Sequence, residues 1–388
     1  MSIIAIDDQY VAGTYKRFPL EIVKGKGSHV QDADDKDYID MGSGIAVTSF
    51  GIADDEWVSA VTAQLSKVQH MSNLYYTEPC ALLAEKLCTR TGLKKVFFSN
   101  SGAEANECAI KVARKYGQDK YGRDCHIIVT LNQSFHGRTL TTLSATGQEH
   151  YHELFQPLTP GFMSVDPGDT ESLEKLAKEH RIAGILMECV QGEGGVLPIG
   201  KENAQKMEKF AKENDILLMI DEVQTGNGRS GALYAYMNYG LSPDVVSTAK
   251  GLAGGLPMGA TLIGEKAANV LSYGDHGSTF GGNPVAAAGA NSIIGRIDEK
   301  LLGEVREKSA YIFNELQNAE GVEGVRGMGL MIGIKTVRPA GEVVAECMKQ
   351  GVLCLTAKDR VRLLPALNIP MEDLKKAIEV IKNVCKEG

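Results

Sequence analysis

No run of apolar residues in the chain approaches the roughly 18 that a membrane helix needs, and no block of Lys or Arg offsets the formal net charge of −8. The first absence argues against a membrane-embedded protein, and the second against a nucleic-acid or anionic-membrane partner. The eight cysteines are scattered and contain no Cys-x-x-Cys pair, which excludes a zinc ribbon or a thioredoxin-type motif. His150-Tyr-His152 has no further ligand cluster beside it in sequence, so no metal is expected there. Without a Gly-x-x-x-x-Gly-Lys-Ser/Thr segment, P-loop nucleotide chemistry has no support. Repeats and low-complexity stretches are also missing, so neither a solenoid nor a disordered linker is expected. Residues Met1-Ser-Ile-Ile-Ala-Ile-Asp-Asp8 lack the basic start of a secretory signal, which points to a cytoplasmic protein with reduced thiols.

What is present suits a globular enzyme. At 388 residues the chain is too long for one small core, and two domains, or one with a satellite, are expected. Between about residues 95 and 265, apolar runs of strand length alternate with amphipathic stretches of helical period. Strands are expected at 96–99, 126–131, 162–165, 183–188, 216–220, 245–248 and 260–264. Helices are expected at 105–116, 170–180 and 202–214, with Thr170 as an N-cap. Such alternation predicts an α/β fold, a mostly parallel sheet of about seven strands covered by helices. From about residue 284 the order changes to helices at 285–297 and 301–319, then strand 330–336, helix 341–350, strands 352–355 and 361–364, and helix 371–386. That order describes a smaller α+β domain. The expected division is therefore an N-terminal segment 1–50 packing with the small domain, a large domain over 51–283, and the small domain over 284–388.

The chemistry-bearing residues gather at strand ends. Lys250 closes Asp244-Val-Val-Ser-Thr-Ala-Lys250 and opens Gly251-Leu-Ala-Gly-Gly255, while Ile216-Leu-Leu-Met-Ile220 runs directly into Asp221. A lysine and an aspartate at the C-terminal ends of two parallel strands can face one crevice. That pairing suits pyridoxal 5'-phosphate (PLP), which needs an amine for covalent attachment and an acid facing its pyridine nitrogen. Taken alone, each residue also fits an ordinary role, since most lysines are solvated and many strands end in aspartate.

Further segments bear on the same crevice. Ser99-Asn-Ser101-Gly-Ala-Glu-Ala-Asn106 follows a strand and opens a helix, where free N–H groups and the Ser101 hydroxyl could receive an anion. By itself it serves equally well as a plain helix cap. Ser134-Phe-His-Gly-Arg-Thr139 offers a ring to cover a flat cofactor and a planar cation to clamp a carboxylate. Glu188-Cys-Val-Gln-Gly-Glu193-Gly-Gly195 ends another strand with two carboxylates, and its chemistry alone does not choose between them. Gly226-Asn-Gly228-Arg-Ser-Gly231 has the spacing of a dinucleotide fingerprint, the basis for an NAD-dependent dehydrogenase as an alternative. Against it, the polar residues 221–225 separate these glycines from their strand, and Asp244 precedes a strand instead of ending one.

Together these motifs closely resemble the class III (ornithine-type) aminotransferases of PLP fold type I, over about residues 15–370. The most specific segments are Asn100-Ser-Gly-Ala-Glu-Ala-Asn106, Phe135-His-Gly-Arg-Thr139, Gln191-Gly-Glu-Gly-Gly195, Asp221-Glu-Val-Gln-Thr-Gly226, Ser247-Thr-Ala-Lys-Gly251 and Gly277-Ser-Thr-Phe-Gly-Gly-Asn-Pro284. Within the family the likeness is greatest to the acetylornithine aminotransferases.

The resemblance implies a role for each matched residue. Lys250 would hold PLP covalently, Asp221 would pair with its ring nitrogen, Gln224 would bond its phenolic oxygen and Phe135 would stack on the ring. Ser101, Gly102 and Ala103 would bind the phosphate, together with Thr279 of the partner subunit in a homodimer. Arg138 would hold the substrate's α-carboxylate, and Tyr15 and Ser278 would belong to the substrate pocket. Glu193 would pair with Arg362 until a carboxylate of 2-oxoglutarate displaces it. The implied reaction moves the distal amine of N2-acetyl-L-ornithine to 2-oxoglutarate. Ornithine, succinyl-diaminopimelate and 4-aminobutyrate are alternative donors, and a PLP aminomutase or decarboxylase is alternative chemistry on the same fold. The chain departs from the family pattern at Gly51-Ile-Ala-Asp-Asp55, commonly Gly-His-x-His-Pro, and at Cys189, commonly proline. It also carries Gly44 where ornithine aminotransferases have a tyrosine, which implies room for an acetamide.

Overall fold

Apolar runs without a polar face become strands without a solvated face. In the computed structural model, which describes residues 2–386, the strands Ile127–Leu131, Ile182–Met187, Leu217–Asp221, Val245–Thr248 and Gly259–Ile263 are buried at every position. Lys95–Ser99 and Phe162–Val165 complete a seven-stranded sheet in the order 95–99, 259–263, 245–248, 217–221, 182–187, 127–131, 162–165. Both faces are covered by helices, as expected for a largely parallel sheet. The one exception is Gly259–Ile263, which runs antiparallel to both neighbours. The short connection over 249–258 explains it, because a parallel return needs a crossover of about a dozen residues or more.

Strand register places the site. Asp221 lies opposite Ser247 on the adjacent parallel strand, so both strands end side by side and Lys250 follows at once. The helix Gly102–Tyr121 packs across the strands of this sheet, with Ala105, Asn106, Ala109, Val112 and Ala113 among its buried residues. It begins earlier than its apolar periodicity indicates, because Ser101 caps it by accepting the Glu104 N–H, and it runs on to a C-cap at Gly122. The cap of Thr170–Glu179 is Asp169 instead of Thr170: its Oδ1 accepts the Ser172 N–H at 3.0 Å. Both are strong N-cap residues, and the backbone turns one position earlier.

Ahead of residue 95, helices span Asp55–Leu65 and Glu78–Thr91. Asp54, in the segment that departs from the family pattern, caps the first of these and pairs with Arg296 at 2.6 Å. Trp57 donates its indole N–H to the Ala253 carbonyl at 2.9 Å, tying this helix to the turn after Lys250. The helix Pro284–Arg296 lies against both of these helices.

Two smaller sheets adjoin. Ile22–Lys26, His29–Asp32 and Asp37–Asp40 form a sheet with Val352–Leu353, and Val322–Met328, Met331–Thr336, Arg360–Leu363 and Leu355–Ala357 form another. The single strand expected at 352–355 is therefore two, which switch sheets across the buried Cys354. Val322–Met328 was not evident from sequence, because Glu323, Gly324, Arg326 and Gly327 interrupt any apolar pattern. Its pairing with Met331–Thr336 supplies what local propensity does not. Among the described residues, no helix is long and apolar enough to cross a membrane.

Candidate active site

A cavity of about 340 Å³ opens at the C-terminal ends of the central strands. Seven of the sequence candidates line it: Ser101, Gly102, Ala103, Phe135, Asp221, Gln224 and Lys250. The tight packing around Gly102 requires glycine, since a Cβ there would fall 2.6 Å from the Val223 side chain. The N–H groups of Gly102 and Ala103 precede the first intrahelical bond, Ala105 N–H to the Ser101 carbonyl at 3.0 Å. They are the free donors a helix N-terminus offers to an anion.

Asp221 is buried with every oxygen engaged. Its Oδ2 accepts from Asn106 Nδ2 at 2.7 Å and lies 2.8 Å from His136 Nδ1, while Oδ1 accepts the Val223 N–H at 2.9 Å. Asn106 and His136 are the participants that sequence reasoning missed. The signal was present, since both stand inside the motifs already singled out. Glu188, left undecided against Glu193 by sequence, is fully buried at the cavity wall. It accepts the Phe135 N–H at 2.9 Å and the Gly192 N–H at 3.1 Å. Burial pushes its carboxyl up to about 7 against the opposing influence of His136, and Asp221 adds to the rise.

Lys250 is shaped by strain and burial together. Its φ of 46° lies in the left-handed region, which costs a non-glycine residue on the order of 1–3 kcal/mol and marks functional sites. Burial lowers its pKa below the usual lysine range, opposed by the charge of Glu193 and reinforced by that of Arg362. The shift increases the share of neutral amine, the form able to act as a nucleophile.

Beside the cavity, Arg362 Nη1 meets Glu193 Oε1 at 2.6 Å and Gln224 Oε1 at 3.2 Å. Burial raises Glu193, but the charge and hydrogen bond of Arg362 outweigh it and hold the carboxyl below its ordinary range. Ser278 Oγ accepts from Asn100, a cavity residue, at 3.1 Å. Arg138 is exposed just beyond Gly137, with its guanidinium over Phe135.

Within one chain three positions lie apart from these. Thr279 faces a separate cavity of about 960 Å³ with Tyr75, Tyr76 and Tyr273. Tyr15 is 73% exposed and does not line the Lys250 cavity. Gly44 lines a third cavity with Phe18 and Leu355, so the room at Gly44 is not part of the Lys250 cavity in one chain.

The glycines at 226–231 are a packing loop. A Cβ at Gly228 would lie 2.9 Å from Leu367, and one at Gly231 equally close to Arg306. Between them Arg229 is buried and donates to the carbonyl oxygens of Leu330 and Pro365. Backed against the C-terminal segment in this way, the loop presents no surface to a dinucleotide.

The residues present fit PLP. A half-buried lysine amine whose pKa is lowered, a buried carboxyl held by three partners, a helix N-terminus with free N–H groups and the walls of Phe135 and Val223 share one cavity. Residues 10–385 match the profile of aminotransferase class III. The chain belongs to the class III aminotransferases. It is 48% identical over 384 residues to the acetylornithine aminotransferase of Haemophilus ducreyi, covering 98% of each chain. It superposes on the ornithine aminotransferase of Toxoplasma gondii ME49 with a TM-score of 0.94 at 29% identity, covering 98% of this chain and 94% of that one. For the N-acetylornithine aminotransferase of Stenotrophomonas maltophilia K279a the TM-score is 0.83 at 32% identity, with 98% of each chain covered. The protein is accordingly a PLP-dependent transaminase acting on small amino and keto acids.

The lowered pKa of Lys250 has a measurable consequence in the chain without cofactor. Because the unfolded lysine binds a proton that the folded one resists, stability rises with pH from the lowered value up to about 10.4. Lys250→Met removes this penalty. The variant should show a higher urea midpoint than the wild-type apo chain near neutral pH, with the gap narrowing as pH approaches 10. A gap that is absent, or constant over that range, would contradict the assignment.

Proposed function

We propose that this transaminase moves the distal amine of N2-acetyl-L-ornithine to 2-oxoglutarate, giving N-acetyl-L-glutamate 5-semialdehyde and L-glutamate. The observation that carries this reading is Arg138, an exposed guanidinium beyond the ring of Phe135 with no carboxylate partner among the described residues. A donor whose α-carboxylate lies remote from the reacting amine makes use of such a cation. Acetylornithine has that carboxylate and carries an uncharged acetamide in place of ornithine's second ammonium. The naming of the Haemophilus ducreyi and Stenotrophomonas maltophilia relatives supports the same donor.

In this reading, PLP when bound supplies a conjugated ring that takes up the electron pair left at the amine-bearing carbon. Asp221 would face the ring nitrogen, its oxygens held in place by Asn106, His136 and the Val223 N–H. Lys250 would be the attachment point, and its Nζ, released by the incoming amine, would take the proton from the amine-bearing carbon and pass it to the cofactor carbon bonded to the transferred nitrogen. Gln224 would bond the ring's phenolic oxygen, while Ser101, Gly102 and Ala103 would receive the phosphate. Glu193 covers Arg362 in one half-reaction, sparing the site an unpaired buried charge, and yields it to a carboxylate of 2-oxoglutarate in the other. The reaction runs in the cytoplasm.

The homodimer belongs to the same proposal. Leu74, Tyr76 and Tyr273 are 85%, 105% and 107% exposed, and both tyrosines stand with Thr279 around the 960 Å³ cavity. Exposed aromatic surface of this kind suits a second copy of the chain, which would bring Thr279 to the other subunit's phosphate.

Four measurements test these assignments. Borohydride reduction of the loaded enzyme should fix a pyridoxyl group on the Lys250 peptide, and a label elsewhere removes Lys250 from its role. Thr279→Ala should weaken PLP binding by roughly 1–3 kcal/mol, as for a hydrogen bond to a charged group, while leaving the fold intact. A fully active monomer would overturn the dimer. For the donor, kcat/KM is compared for acetylornithine, succinyl-diaminopimelate, ornithine and 4-aminobutyrate, each with 2-oxoglutarate. Acetylornithine should lead, with selectivity over its competitors of roughly 1–3 kcal/mol. If ornithine or 4-aminobutyrate leads, the donor assignment fails.

A further inference from the structure

The two arginines of the site are held in different ways. Arg362 is covered by a carboxylate, with Glu193 at 2.6 Å. Arg138 is held by rings: its guanidinium carbon lies 4.5 Å from the centroid of Tyr151 and 5.6 Å from that of Phe135. Phe135 and Tyr151 themselves meet edge to face, 5.5 Å apart at 62°.

The turn that carries Tyr151 is stitched to the loop that carries Phe135 and Arg138. Buried Gln148 donates its side-chain amide to the Ser134 carbonyl at 3.1 Å, and Gly147 donates its N–H to Ser134 Oγ at 3.0 Å. In the reverse direction the Gln133 N–H donates to the Gly147 carbonyl at 2.7 Å. Within the turn, the Tyr151 N–H donates to the Gln148 carbonyl at 3.1 Å. The Tyr151 ring is therefore fixed relative to Phe135 by backbone bonds as well as by contact.

We propose that Tyr151 is the positioning residue that holds the Arg138 guanidinium open for a substrate carboxylate. The inference rests on the reading of Arg138 as the carboxylate clamp. A long arginine side chain loses rotamer entropy on capture, and an aromatic face restrains it beforehand. A ring does so without competing for the ligand, whereas an Asp or Glu partner would have to be displaced each time. The difference matches the duties of the two cations. Arg362 is needed in one half-reaction and is covered in the other. Arg138 serves a remote carboxylate in both, since acetylornithine and 2-oxoglutarate each present one, and it stays uncovered.

Tyr151→Leu, Tyr151→Phe and Arg138→Gln decide the matter, assayed with acetylornithine and with N-acetyl-1,4-diaminobutane, the same amine without its carboxylate. Tyr151→Leu should raise KM for acetylornithine and for 2-oxoglutarate several-fold to about tenfold, the range of a partly exposed cation–π contact, with kcat little changed. Tyr151→Phe keeps the ring and should restore wild-type KM. Neither Tyr151 variant should alter kcat/KM for the carboxylate-free amine in the first half-reaction. The inference is overturned if the Phe variant is as impaired as the Leu variant, if Leu leaves KM for acetylornithine unchanged, or if both amines lose equally. Arg138→Gln separates the two levels: an unchanged KM for acetylornithine removes the clamp itself, while a raised KM there beside an unaffected Tyr151→Leu removes only Tyr151.

Discussion

The carboxylate of Asp221 is only 4% exposed, and an ion so far from water is tolerated only when its oxygens are engaged. Its three donors come from three parts of the chain. Asn106 comes from the helix Gly102–Tyr121, His136 from the loop beyond Ile127–Leu131, and the Val223 N–H from the turn beyond its own strand. Satisfying that one charge sets the first turn of the helix where Gly102 and Ala103 wait, and the loop on which Phe135 and Arg138 stand. Asn106 is itself held by accepting from Ser247 and by donating to the His136 carbonyl at 2.8 Å. Few of the site's parts could move without leaving a buried charge unpaired.

Two other buried carboxyls show that burial alone does not define a working acid. Glu222 follows Asp221 directly and is also fully buried, with its carboxyl pushed up to about 7 by desolvation. It accepts the N–H groups of Ala235 and Tyr236 and the hydroxyl of Thr225, so it fastens the next short helix and faces away from the cavity. Glu188, with a similar shift, ties the Phe135 loop to the Gly192 loop and thereby joins the ring wall to the segment that bears Glu193. The raised pKa values mark cost in both cases, and only the partners tell what the cost maintains.

Much of the fold was legible because the central strands are buried on both faces. Uninterrupted apolar runs such as 216–220 and 245–248 have one reading when glycine and polar turns bound them. Where a segment's state depends on its neighbours, the sequence was mute. Val322–Met328 is a strand only because Met331–Thr336 pairs with it, and 352–355 divides because its two halves find different sheets. At the site, the residue types needed for the chemistry stood out at strand ends. Tyr151 did not, since it lies in a polar loop between two histidines and its relation to Arg138 is purely spatial.

The α/β sheet, the strand ends that carry Lys250 and Asp221, and the family to which these motifs belong can all be read along the chain. Those features are local: they follow from apolar run length, from glycine beside a strand end and from the order of short motifs along the chain. Which carboxyl faces the cavity, which glycines pack instead of binding, and which cation is covered were settled by long-range packing. The tertiary structure also turned Gly259–Ile263 against its neighbours, because the connection before it is too short for a crossover. These outcomes rest on contacts between residues far apart in the chain, as between Arg362 and Glu193 or Asp221 and Asn106, and no local pattern encodes them.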